Sequence, residues 1–213
     1  MMRAYIFDLD GTLVDSEVIW TDAIADYLRG HKIEFSQQDA AQLVYGRSWR
    51  DIHGDIVRMY PKLHMPIEAM EAAVYTYYEG IASQRDIRIS TSVELLKRLS
   101  SSYPVCIVSG SSRKTIGEAV SLMGIDEHLE FFLGAEDYSP GKPDPVCYRL
   151  AADKLGLDAE DCLVFEDSQA GLNAANAAGM TCVVLTRCGR PSQDFTLADL
   201  VLDDLANFRE EDF

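Results

Sequence analysis

Positive charge is what this sequence has least of. Its 19 lysines and arginines face 35 aspartates and glutamates, a formal net charge of −16. A field of that sign repels nucleic-acid backbones and anionic membrane surfaces, so neither is expected as a partner. Histidine is also scarce: His31, His53, His64 and His128 have no metal-ligand spacing and are read as structural or surface groups. The five cysteines (Cys106, Cys147, Cys162, Cys182 and Cys188) form no C-x-x-C pair and are odd in number, which speaks against a disulfide framework. Cys106, Cys162 and Cys182 lie in or beside apolar β-rich runs, where a reduced thiol behaves as a small hydrophobe. No uninterrupted apolar run of about 18 residues occurs, so no transmembrane helix is expected. Charge at Arg3 and Asp8 interrupts any signal-peptide core. A reduced, cytoplasmic protein is the expectation.

What the chain does have is a rhythm. Short apolar, β-branched runs recur at AYIF (4–7), VCIVS (105–109), FFLG (131–134), CLVFE (162–166) and TCVVL (181–185). Helix-length patterns stand between them at 92–102, 114–123, 145–156 and 168–179, with Gly124 as a C-cap for the second. Near-continuous apolar strands alternating with helices predict an α/β fold, a Rossmann-like parallel sheet covered on both faces. Ser16 to Gln84 breaks the rhythm with helical spacing alone, at 17–30, 50–60 and 66–82. About 70 residues is too long for a loop. The expectation is therefore a core domain built from 1–15 and 85–213, with an inserted α-helical cap domain over 16–84. Such an insertion would sit over the carboxyl edge of the sheet, where open α/β folds bind ligands. The closing stretch, Ser192 to Phe213, carries seven acids against Arg209 alone and reads as solvated surface.

FDLDG (7–11) places two aspartates one residue apart where the first strand ends. A calcium loop of the EF-hand type fails here, because its sixth and twelfth positions would be Leu13 and Ile19 in place of glycine and glutamate. A solvated Asp-Gly turn is the plain alternative. Three further loops weigh against it. VSGSS (108–112) offers the Ser109 hydroxyl and free backbone N–H groups at a helix start, a ready anion site. SPGKPDP (139–145) stiffens one lysine, Lys142, with three prolines. VFEDS (164–168) delivers Glu166 and Asp167. Each has a dull explanation alone, as a serine cap, a stiff turn or a solvated acid pair. Together they place Asp, Ser, Lys and Asp at or just beyond the carboxyl ends of successive predicted strands.

FDLDGT, VSGS, GKPDP and FEDS…AG…AAGM together resemble the four motifs of the haloacid dehalogenase (HAD) superfamily, and within it the phosphatases with a helical cap. The likeness runs over nearly the whole chain. It implies a Mg2+-dependent phosphoric monoester hydrolase acting through an aspartyl-phosphate on a small phosphorylated metabolite, a sugar, polyol or hydroxy-acid phosphate. Asp8 would be the nucleophile and Asp10 the general acid and base. Mg2+ would be held by Asp8, the backbone carbonyl of Asp10, Asp167 and, directly or through water, Glu166. Ser109, Gly110 and Lys142 would bind the phosphoryl group, with Ser109 and Lys142 also serving catalysis.

Sibling activities separate at single positions. Asp10 speaks against dehalogenases and phosphonatases, which lack an aspartate there. β-Phosphoglucomutase-like mutases keep all four motifs, but place a histidine four residues beyond the position of Ser16, where this chain has Trp20. A catalytically silent binding member would have lost one of Asp8, Asp10, Lys142 or Asp167. In the cap stretch, YGRSWR (45–50) sets Gly46, Arg47, Trp49 and Arg50 between helices. They are either ordinary surface residues or a substrate grip, with one arginine, Arg47 the candidate, on a second anionic group and Trp49 or Tyr45 on the carbon skeleton. Oligomeric state is not legible; a monomer or weak homodimer is the working expectation.

Overall fold

The computed structural model describes residues 2–45, 47, 49–187, 190 and 192–213, so Gly46 and Cys188 lie outside the described residues. In chain order its elements are β1 (Ala4–Phe7), α1 (Ser16–Gly30), α2 (Gln37–Val44), α3 (Trp49–Met59), α4 (Ile67–Ala82), α5 (Ser90–Ser100), β2 (Val105–Val108), α6 (Arg113–Met123), β3 (Phe131–Leu133), α7 (Val146–Leu155), β4 (Cys162–Glu166), α8 (Gln169–Ala178), β5 (Thr181–Leu185) and β6 (Leu200–Leu202).

AYIF has no position suited to water, and all four residues of β1 are buried. It occupies the middle of a sheet ordered β3-β2-β1-β4-β5-β6, with every pairing parallel. This is the α/β sheet the sequence predicts. Strand order reverses between β1 and β4, which opens a crevice at their carboxyl ends. Alternation along β1 divides its side chains between two cores. Ala4 and Ile6 join Cys106, Val164, Cys182 and the inner faces of α7 and α8. Tyr5 and Phe7 face the other way, where Phe7 stacks on Phe165 at 4.5 Å between centroids. Gly124 closes α6 in the left-handed region, at φ 61°.

The final stretch departs from the solvated surface expected of it. Most of its acids are exposed, but β6 adds a sixth strand beside β5, and Leu205 and Phe208 are fully buried. Phe208 packs edge-on to Phe165 with centroids 4.9 Å apart. Apolar residues spaced among acids anchor the segment while the acids stay wet.

Two compact units divide the chain. The first comprises Met1–Val14, Arg88–Cys188 and Ser192–Phe213, and contains the whole sheet. The second comprises Asp15–Ile87 with Gly189–Pro191. Its helices α1 to α4 enclose Ile24, Tyr27, Leu28, Leu43, Ile56 and Met70. α2 is not among the helices expected above. Its signal is short but present in SQQD (36–39), where Ser36 Oγ accepts a 3.1 Å hydrogen bond from Asp39 N and caps the helix. Among the described residues, no helix is long and apolar enough to cross a membrane.

Candidate active site

Four loops leave the carboxyl ends of β1, β2, β3 and β4, and their side chains meet within the first unit. Asp8 is the first residue past β1, held to the sheet by its N–H donating to the Phe165 carbonyl at 2.9 Å. Its Oδ1 accepts a 2.6 Å hydrogen bond from Lys142 Nζ. The same ammonium donates to Glu166 Oε1 at 2.6 Å and to the Val108 carbonyl at 3.2 Å. Three donors thus meet three acceptors, and the lysine is fixed in direction as well as in charge. The loop carrying it is itself braced: Asp144 Oδ1 accepts from Val146 N at 3.0 Å, and Tyr138 OH donates to the Ser109 carbonyl at 2.7 Å.

Glu166, at the end of β4, is 1% exposed and surrounded by donors. Tyr148 OH joins Lys142 on Oε1 at 2.8 Å, while Oε2 accepts from Asp167 N, Ser168 N and Ser168 Oγ at 3.0, 3.1 and 2.9 Å. The donors explain a split between two buried acids. Burial pushes the Asp8 carboxyl well above its ordinary range, although Lys142 opposes it. Glu166 is buried as well, yet Lys142, Ser168 and Tyr148 together hold it below the usual value. Burial alone would lower Lys142; the flanking carboxylates instead raise it well above its ordinary range, so the ammonium stays charged.

Asp10 points to the neighbouring loop. Its Oδ2 accepts from Ser111 Oγ at 2.7 Å and from Ser109 Oγ at 3.2 Å. Ser109 Oγ in turn accepts from Ser111 N at 3.0 Å, which closes a small ring at the start of α6. Gly110 lies exposed in the same loop.

Asp8, Glu166 and Asp167 each bring a carboxylate oxygen within 4.8 Å of the others. All three are buried. Three carboxylates brought this close in a place shielded from water repel one another, so the donor set fits a bound cation, and oxygen ligands fit a hard one.

One residue important to this arrangement is missing from the sequence reading: Tyr148 sits at a helical core position, and nothing in its local pattern separates it from ordinary packing residues. Ser111 is visible beforehand only as one of two serines at a helix start. Arg47 and Trp49, the residues expected to face the substrate, belong to the second unit. Arg47 Nη1 pairs with Asp55 Oδ2 at 2.7 Å. Trp49 is half-buried against Trp20, with ring centroids 6.1 Å apart, and Trp20 packs on Tyr78 at 4.5 Å.

The haloacid dehalogenase-like hydrolase family model matches residues 2–179. A validoxylamine A 7'-phosphate phosphatase from Streptomyces hygroscopicus subsp. limoneus is 30% identical over 210 residues, covering 98% of this chain and 97% of that protein. Hexitol phosphatase A of Escherichia coli is 29% identical over 207 residues, covering 95% and 91%. Among solved structures, CbbY from Rhodobacter sphaeroides in complex with phosphate has the same fold, with a TM-score of 0.79 at 21% identity over 97% of this chain and 96% of that one.

Proposed function

Since the chain belongs to the haloacid dehalogenase-like hydrolases and its named relatives make it a phosphoric monoester hydrolase, we propose that it hydrolyses a small phosphorylated metabolite, a sugar, polyol or hydroxy-acid phosphate, through an aspartyl-phosphate on Asp8. The observation that carries this reading is the 2.6 Å contact between Lys142 Nζ and Asp8 Oδ1, set beside an Asp10 carboxyl held by two serines. The unit of Asp15–Ile87 with Gly189–Pro191 would serve as the cap, and that of Met1–Val14, Arg88–Cys188 and Ser192–Phe213 as the catalytic core.

Asp8 is the nucleophile: a carboxylate oxygen attacks phosphorus and the bond to the leaving alkoxide breaks. The alkoxide takes its proton from the Asp10 carboxyl. Water then attacks the acyl-phosphate, its proton returns to Asp10, and inorganic phosphate leaves with Asp8 restored. Ser109, the Gly110 N–H and Lys142 bind the phosphoryl oxygens. Mg2+ is assigned to Asp8, Asp167 and the Asp10 carbonyl, with Glu166 adding charge directly or through water; bound there, it would offset the repulsion between Asp8 and a phosphate dianion. Arg47 and Trp49 are assigned to the substrate body. Four buried, free thiols, at Cys106, Cys147, Cys162 and Cys182, fit a reducing, cytoplasmic setting.

Trp20 packs into the aromatic cluster of the second unit where a mutase would need a histidine, so nothing favours the mutase reading. Purified protein should release phosphate from p-nitrophenyl phosphate and from a member of a phosphorylated-metabolite panel, with loss on EDTA and recovery on Mg2+. Asp8→Ala should abolish it, and rapid quench with mass spectrometry should find the phosphoryl adduct on Asp8. Full turnover by Asp8→Ala would overturn the reading.

A further inference from the structure

Lys142 ends in a flexible four-carbon stem, and an ammonium is a point charge without a preferred direction of its own. Its aim at Asp8 must come from its surroundings. Beneath it lies Tyr148 of α7, fully buried. The ring face of Tyr148 backs the ammonium, with Nζ 5.1 Å from the centroid. Its hydroxyl donates at 2.8 Å to Glu166 Oε1, the very oxygen that receives Lys142 at 2.6 Å.

A phenylalanine would fill the same core volume, and a buried hydroxyl is costly unless it has a partner. Here the partner is neither solvent nor a backbone carbonyl but the anion that faces Lys142. We propose that Tyr148 is the positioning residue for Lys142: its hydroxyl and the donors on Oε2 fix the Glu166 carboxylate, and its ring closes the side from which the ammonium would swing away. Tyr148 touches no reacting atom. Its effect passes through Glu166 to Lys142, and through Lys142 to Asp8. The catalytic consequence rests on the phosphatase reading; the positioning itself does not.

The test uses the full-length, metal-free protein. Ammonium-selective 1H–15N spectra should show one exchange-protected lysine signal, assigned to Lys142 by its loss in Lys142→Arg. Tyr148→Phe keeps the ring and removes the hydroxyl, and should shift or broaden that signal; Tyr148→Leu, which also removes the ring, should abolish it. In the Mg2+-loaded enzyme, Tyr148→Phe should lower kcat about tenfold with KM within about twofold, the size expected from one lost hydrogen bond to a charged group. If Tyr148→Phe does not fold, the wild-type Tyr148 hydroxyl proton is read in its place: it should be exchange-protected and show a cross-peak to the Lys142 ammonium, and its absence overturns the proposal. A wild-type protein with no protected signal, or a signal unmoved in the variant, overturns the proposal. Absence of turnover in wild type would sink the phosphatase reading and leave the spectra to judge Tyr148 alone.

Discussion

Gly171 of α8 lies so close to Glu166 that a Cβ built on it would fall 1.7 Å from Oε1 and 1.9 Å from the carboxyl carbon. The glutamate fills the space a side chain would take, and its position is fixed by donors on both oxygens. Gly171→Ala therefore has no cheap relaxation: either α8 moves from the sheet or Glu166 leaves its partners. Overpacking alone costs about 1–3 kcal/mol, and stripping partners from a buried charge about 3–5 kcal/mol. A loss of at least about 3 kcal/mol is expected in denaturant unfolding, together with loss of phosphatase activity. Wild-type stability in Gly171→Ala would show that the carboxylate does not need this place.

Ser111 offers a gentler probe of the same region. Its hydroxyl gives Asp10 the shorter of two serine hydrogen bonds, 2.7 Å against 3.2 Å from Ser109. Ser111→Ala leaves Asp10 with the weaker bond and freer to turn. Stability should change by less than about 1 kcal/mol, since the pair is only partly buried. On the proposed role of Asp10 as proton donor, kcat should fall about tenfold with little change in KM, because aiming that donor matters in the transition state and not in binding. Steady-state kinetics on p-nitrophenyl phosphate checks it.

Tyr5, Tyr27, Tyr138 and Tyr148 should titrate late. Burial raises Tyr5 and Tyr138 to about 12, and lifts Tyr27 and Tyr148 above their ordinary value. Below pH 10 these phenols are neutral whether the chain is folded or not, and contribute no pH dependence. Above it the unfolded chain ionises first, so stability falls as pH rises from about 10, and for Tyr5 and Tyr138 it continues to fall until they ionise in the folded chain at about 12. Tyrosinate absorbance should rise in two stages, the later one coinciding with loss of the circular dichroism of the fold. A single stage, complete while the protein remains folded, would contradict the burial of these rings.

The parts of the site that announce themselves in the sequence do so for a physical reason. Asp8, Ser109 and Glu166 each end or follow an apolar strand, and Lys142 stands between prolines, so polarity appears where the pattern predicts the carboxyl edge of a sheet. Tyr148 and Gly171 carry no such contrast: one occupies a core position of α7 and the other an alanine-rich helix, and their roles exist only once Glu166 is between them. Length limits the rest. α2 spans eight residues and β6 three, too few for periodicity to speak, and β6 lies among acids that mask its apolar residues. The Arg47–Asp55 pair was equally hidden, because Arg47 precedes α3 and its approach to a residue two turns into that helix depends on the chain's path there.

That pair sets the last expectation. Arg47 is partly exposed and already bonded to Asp55, which also pairs with Arg58. If Arg47 grips the substrate as proposed, the anion must share or displace Asp55, and only one bearing a second negative group has reason to do so. Arg47→Ala should alter unfolding free energy by less than about 1 kcal/mol, as for other exposed ion pairs. Its KM for p-nitrophenyl phosphate should stay within about twofold of wild type, while KM for a phosphorylated hydroxy acid should rise about tenfold, the equivalent of one charge-assisted contact. Asp55→Ala, which frees the guanidinium, should shift the hydroxy-acid KM the other way. Equal KM values for both substrates in both variants would remove Arg47 from substrate recognition and leave it a surface cation holding the start of α3.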